Sequence, residues 1–192
     1  GGIGYMIERI FRNVLNKHGI DRNVICIVTE VLVDKDDPAF SDPQKRVGKT
    51  YTKEEAEALS ASKRWIFKED TKGNGGFRRV VPSPKPVGII NESIIRELAL
   101  RGNIVIAAGG GGVPVYYDEN HDVRTVEAVI DKDMASSLLG TGIGADEFYI
   151  LTDVPYIYIN YKKPNQQVRE FLNYADAKKY LDEGQFAKGS MA

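Results

Sequence analysis

The sequence has 192 residues, 42% of them hydrophobic, with 26 Lys and Arg against 27 Asp and Glu and a formal net charge of −1. A chain of this size buries a core without disulfide or metal staples, and its even charge excludes the basic excess of a dedicated nucleic-acid binder. One cysteine, two histidines and no apolar stretch near the ~20 residues of a membrane-spanning helix exclude a disulfide framework, a zinc cluster and a helical anchor.

The first element is an amphipathic helix. Ile3, Met6, Ile7, Ile10, Phe11, Val14 and Leu15 share one face, and Gly19 ends it. Residues 24–33 follow as a nearly unbroken β-branched run, the pattern of a strand covered on both faces. Cys26 lies inside it and reads as a small buried hydrophobe rather than a nucleophile. From residue 34 to 86 the texture is polar, with five prolines and the loop Lys72-Gly73-Asn74-Gly75-Gly76. This stretch reads as an excursion from the main body, a small protruding, lid-like subdomain. It holds a charged helix over 52–62, opened by the capping box Thr52-Lys53-Glu54-Glu55, and short strands over 65–68 and 78–81.

The core pattern then resumes. Asn91 is placed to cap a helix with Ile94, Ile95, Leu98 and Ala99, followed by a buried strand over 104–108. Four glycines, Gly109 to Gly112, lead into a strand over 113–117, and the turn at 118–122 closes a hairpin onto 124–129. A helix over 131–139, a strand over 148–151 and a last helix over 174–181, capped by Asn173, complete the pattern. Helices alternating with buried strands predict a three-layer αβα sandwich around a mainly parallel sheet, with residues 1–192 as one domain carrying the 34–86 insertion.

Four places can carry chemistry. The glycine run stands at the carboxyl end of a buried strand, where open α/β sheets bind ligands. Its main-chain N–H groups can approach an anion unobstructed, or the run is a flexible turn. Asp131-Lys132-Asp133 begins a helix. The aspartates suit caps, but a lysine there is unfavourable unless an anion shares the site or the side chain points to solvent. The segment Ile150-Leu151-Thr152-Asp153-Val154, with Tyr156, Tyr158 and Tyr161 after it, offers either a purine-binding wall or tyrosines packed on a strand. Phe186-Ala187-Lys188-Gly189-Ser190-Met191 holds small residues suited to phosphate contacts. His18 and His121 have no partner cluster in the sequence.

Together these stretches resemble the carbamate kinase family of the amino-acid-kinase superfamily. The likeness rests on Ile3-Gly4-Tyr5, the run Val33-Asp34-Lys35-Asp36-Asp37-Pro38-Ala39-Phe40, and Arg78-Arg79-Val80-Val81-Pro82-Ser83-Pro84. It continues through residues 107–114, Glu127-Ala128-Val129-Ile130-Asp131-Lys132-Asp133, residues 150–154, Asn160-Tyr161 and residues 184–191, in family order. The resemblance implies reversible phosphoryl transfer between carbamoyl phosphate and ADP, giving ATP and carbamate. It also implies Mg²⁺ arriving with the nucleotide, a homodimer, a cytoplasmic setting, and neither nucleic-acid nor membrane partners.

Residue roles follow from the same resemblance. Lys45 matches a lysine that the lid brings to the carbamoyl phosphate end, and Lys132 one on the transferred phosphoryl group. Asp133 matches the aspartate that orients the lysines, and Gly110, Gly111 and Gly112 line the cleft. Val154, Tyr158, Phe186, Ser190 and Met191 fall in the nucleotide-binding part. The resemblance also places further phosphoryl-site loops before Gly1 and a lysine after Ala192, so the 192-residue chain is expected to be inactive alone. Glu30, Arg46, Lys49, Pro155-Tyr156 and Ala192 depart from the family pattern. Arg46 and Lys49, in place of prolines, predict a less stiff lid. Two other readings stand beside this one: a relative acting on another small acid, and a truncated nucleotide-binding or dimerisation module.

Overall fold

A computed structural model describes residues 1–70 and 75–186. The chain divides into two compact units, Gly1–Phe148 and Tyr149–Ala192.

In the first unit, helix α1 (Gly2–Lys17) packs on strand β1 (Val24–Cys26). The close approach depends on Gly4, where a Cβ would lie 2.2 Å from the Cys26 Sγ. Glu8 accepts from the Cys26 amide, and Arg12 bonds both Glu8 and the Val24 carbonyl. Leu15 is the buried residue of α1, while Ile3, Met6, Ile10, Phe11 and Val14 stay 46–73% exposed. The expected single strand over 24–33 is two strands, β1 and β2 (Glu30–Val33). The break at residues 27–29 is where Thr29 turns its hydroxyl onto the Ile27 carbonyl, leaving the ladder.

The polar excursion folds on its own sheet. Strands β3 (Lys45–Tyr51), β4 (Ile66–Glu69) and β5 (Phe77–Val81) are antiparallel in the order β3-β5-β4, and helix α2 (Lys53–Lys63) packs on β4 and β5. The predicted capping box is present: Thr52 accepts from the Glu55 amide, and Glu55 accepts from that of Thr52. Arg46 straps the sheet by bonding the Glu69 carbonyl, 2.9 Å away, and approaching the buried Asp70, as Arg78 also does. The chain's one tryptophan, Trp65, lies under the Arg79 guanidinium at 4.0 Å and near the Lys63 ammonium at 4.8 Å.

The central sheet has the order β6-β2-β8-β9, with β6 (Pro86–Ile89), β8 (Val113–Tyr117) and β9 (Val123–Thr125). Strand β2 runs parallel to β8 and antiparallel to β6; β1 pairs in parallel with β7 (Ile104–Ile106). Helix α3 (Glu92–Leu100) packs on β7, and α4 (Lys132–Ile143) packs on β6 and α3. The core between them is built on Val31, Val33, Ile89, Ile95, Ile130 and Ala135. The fold is α/β, as the alternation of elements predicts.

Further local expectations change. Asn91 stands at the start of α3 but makes no capping bond; its amide donates to the Val28 carbonyl instead. Helix α4 runs past residue 139 to Ile143 and ends at Gly144, whose φ is +70°.

In the second unit, β10 (Ile157–Ile159) and β11 (Gln167–Arg169) form an antiparallel hairpin, followed by α5 (Tyr174–Asp182). Asn173 caps α5 as expected, accepting from the Asp176 amide at 2.8 Å. The strand expected over 148–151 does not form, and Leu151 is 97% exposed.

Candidate active site

The glycine run performs two jobs. A Cβ on Gly112 would lie 2.4 Å from the Val31 Cγ2 and 2.9 Å from the Thr29 carbonyl; one on Gly111 would lie 2.4 Å from the Ile130 carbonyl oxygen. Both have positive φ, +82° and +126°. These glycines let the turn press against β2 and against the backbone just ahead of α4. Gly109 and Gly110 are exposed, with no atom within 4 Å of a Cβ built on either. That half of the run is open to solvent.

Thr29 holds the turn from beneath. It is 4% exposed, and its Oγ1 accepts from the Ala108 amide at 2.8 Å while its carbonyl accepts from the Val113 amide. Ala108 itself has φ +59°, outside the range favoured by side-chain-bearing residues, and the Thr29 bond holds it there. Sequence reasoning missed Thr29. Its signal is a hydroxyl interrupting an apolar run, and the hydroxyl both donates and accepts.

Asp131 is the hub on the other side. Its extended backbone, with φ −70° and ψ 125°, puts it at the N-cap of α4, where Oδ1 accepts from the Asp133 amide at 3.0 Å and the Met134 amide at 3.4 Å. Its second oxygen, Oδ2, accepts from the Lys45 Nζ at 3.1 Å across 86 positions of sequence. Partial burial pushes the Asp131 carboxyl up. The Lys45 hydrogen bond, the Asp133 and Met134 amides and the Lys45 charge outweigh that and hold it below the ordinary aspartate value. The Lys45–Asp131 pair was not foreseen.

Lys132 begins α4 with its side chain 65% exposed, pointing to solvent, and its Nζ 3.4 Å from the Asp133 Oδ2. Lys45, at the start of β3, thus reaches the residue preceding Lys132. Gly111 backs onto the residue before that. The excursion is fastened to the same segment twice more. Arg79 is ion-paired with Glu127, and the Val129 amide donates to the Pro82 carbonyl at 3.0 Å. Among the described residues, no group of three or more His, Cys, Asp or Glu is placed to hold a metal ion.

In the second unit, Val154, Tyr158 and Phe186 are half-buried. Tyr158 packs its ring 5.4 Å from that of Tyr161, and the Asn160 backbone amide donates to the Gln185 side-chain Oε1, tying the end of β10 to the residue before Phe186. Ser190 and Met191 lie outside the described residues. An open groove of about 550 Å³ between α2 and the strands beside it, lined by residues including Lys53, Glu57, Phe67 and Phe77, contains none of the predicted site residues. Its two phenylalanine walls and its Glu57 carboxylate do not suit a phosphate. No described helix is long and apolar enough to cross a membrane.

Residues 5–192 match the amino acid kinase family. The chain is 46% identical to a carbamate kinase of Staphylococcus epidermidis over 98% of its own length and 60% of that protein's. It is also 46% identical to a carbamate kinase of Pyrococcus furiosus, again covering 60% of the relative. Among solved structures, a carbamate kinase from Giardia lamblia bound to AMP-PNP superposes with a TM-score of 0.87 at 41% identity, over all of this chain and 60% of that one. A crystal structure from Aeropyrum pernix K1 gives 0.89 at 44% identity, over 98% of this chain and 60% of that one. The chain therefore spans about 60% of the length of the relatives it matches.

Proposed function

Because this chain belongs to the amino acid kinase family, we propose that it is the larger part of a carbamate kinase, moving a phosphoryl group between carbamoyl phosphate and ADP to give ATP and carbamate. The observation that carries this reading is the junction at Asp131. There a lysine from the excursion meets the start of α4, next to Lys132 and against the turn whose outer glycines are open.

Phosphoryl transfer asks for in-line placement and cancellation of the charge on the moving group. Fixed ammonium groups and main-chain N–H donors do this without reorganising, as water must. In this reading Lys132 faces the transferred phosphoryl group, Asp133 orients the lysines, Lys45 meets the carbamoyl phosphate end, and Gly110, Gly111 and Gly112 line the cleft. Carbamate is already an anion, so the step needs no general base, which agrees with a site of lysines, aspartates and glycines rather than histidine.

Val154, Tyr158, Phe186, Ser190 and Met191 are assigned to the nucleotide. Mg²⁺ is taken to travel with the nucleotide, held by phosphate oxygens and water, and to supply further charge neutralisation when bound. The same reading carries a homodimer in the cytoplasm, a protruding lid formed by residues 34–86, and inactivity of the 192-residue chain alone. The test is ATP formation by the full-length protein from ADP and carbamoyl phosphate. Absence of ATP, or faster phosphorylation of another small acid than of carbamate, overturns it.

A further inference from the structure

Asp131 has a second partner that its capping role does not require. Oδ1 serves the helix, accepting from two amides, while Oδ2 is turned away to Lys45. The pair is half-buried, with side-chain exposures of 37% for Lys45 and 27% for Asp131, and it joins the separate excursion sheet to the central part of the unit. A carboxylate oxygen thus occupies one side of the only charged group that Lys45 can offer to a substrate.

We infer that Asp131 is a positioning residue that parks Lys45, so that an incoming phosphate must take the ammonium from a carboxylate already in place. The inference rests on the proposed phosphoryl-transfer reading. Its chemistry is an exchange of anions on one cation. The carboxylate stands in for a phosphate oxygen while the site is open, fixing the first residue of β3 over α4, and a more highly charged ligand displaces it. An exposed or half-exposed ion pair is weak enough for this exchange to be reversible. The Arg79–Glu127 pair and the Val129–Pro82 bond hold the excursion to residues 127–131 while Lys45 changes partner.

Asparagine separates the two roles of Asp131, because its carbonyl oxygen still caps α4 while its amide cannot hold an ammonium. The experiment measures affinity for inorganic phosphate by calorimetry in the full-length protein, in a four-member cycle of wild type, Asp131→Asn, Lys45→Met and the double variant. Thermal melts confirm folding, and Asp131→Ser, another capping residue, repeats the cycle. Asp131→Asn is expected to bind phosphate about threefold to fivefold more tightly, the range set by the loss of one half-exposed ion pair. Lys45→Met is expected to bind it more weakly, and Asp131→Asn is expected to add nothing in the Lys45→Met background. Two results overturn the inference: unchanged affinity in Asp131→Asn, or a gain that persists without Lys45 and so reports simple repulsion. ATP formation by the wild-type preparation is scored separately. Loss of coupling with ATP formation intact removes the parking role alone, whereas absent ATP formation removes the phosphoryl-transfer reading.

Discussion

Gly111→Ala and Gly110→Ala, neighbouring changes of one methyl group, are expected to differ sharply in stability. At Gly111 the new Cβ meets two obstacles. Its φ of +126° strains any residue with a side chain, by about 1–3 kcal/mol. The Cβ also lies 2.4 Å from the carbonyl oxygen of Ile130, a residue 1% exposed, and 3.0 Å from its carbonyl carbon. These are backbone atoms next to the cap of α4, so no side-chain rotation relieves the contact, and forced overpacking adds about 1–3 kcal/mol. The expected loss is therefore about 2–6 kcal/mol. At Gly110 nothing lies within 4 Å and φ is not positive, so alanine restricts the unfolded chain and stabilises by about 0.4–1 kcal/mol. Urea unfolding followed by circular dichroism reads the difference. With a slope of about 2 kcal/mol/M, Gly111→Ala lowers the midpoint by at least about 1 M, while Gly110→Ala leaves it at or slightly above wild type. Equal midpoints for the two variants would refute the division of the run into packing and open glycines.

Three further outcomes are expected. Thr29→Val keeps the shape of the side chain but strands the buried Ala108 amide, and should lower stability by about 1–3 kcal/mol in the same urea assay. Lys132→Ala should leave stability near wild type, because the side chain is exposed, yet slow ATP formation by roughly 10²-fold, the scale of losing one preorganised charge donor. The Asp131 carboxyl is held below its ordinary value, so its contribution to stability is present above the unfolded aspartate pKa of about 3.9 and is lost as pH falls through the lower folded value. Urea midpoints of wild type and Asp131→Asn should therefore stay a constant interval apart from pH 8 to 5 and converge below about pH 4.

Local signals in the sequence were legible where a local cause sets them. The spacing of apolar residues in α1, the Thr52 capping box and the Asn173 cap each act within one or two turns of chain, and each is found in place. The strand expected over 148–151 depended on a partner that composition cannot supply: an apolar run becomes a strand only where another strand bonds its edge, and those residues are exposed. Asn91 was misread for a related reason, since its amide has a distant carbonyl, that of Val28, to satisfy. Within the site, the glycines and the Asp-Lys-Asp turn were visible as residue types, whereas the Lys45–Asp131 contact spans 86 positions and exists only once the excursion folds back. The expectation of a less stiff lid from Arg46 and Lys49 took no account of the bond that Arg46 makes to the Glu69 carbonyl of β4, another contact between residues distant in sequence.

The chain's lone indole sits in the excursion, covered by one guanidinium, with every long helix other than α2 elsewhere in the chain. Fluorescence excited selectively at the indole is therefore a spectator of residues 34–86, while the far-ultraviolet signal sums the described helices α1 to α5. Followed together through one denaturation, the two colours of light separate a fold that melts in concert from one whose appendage lets go first.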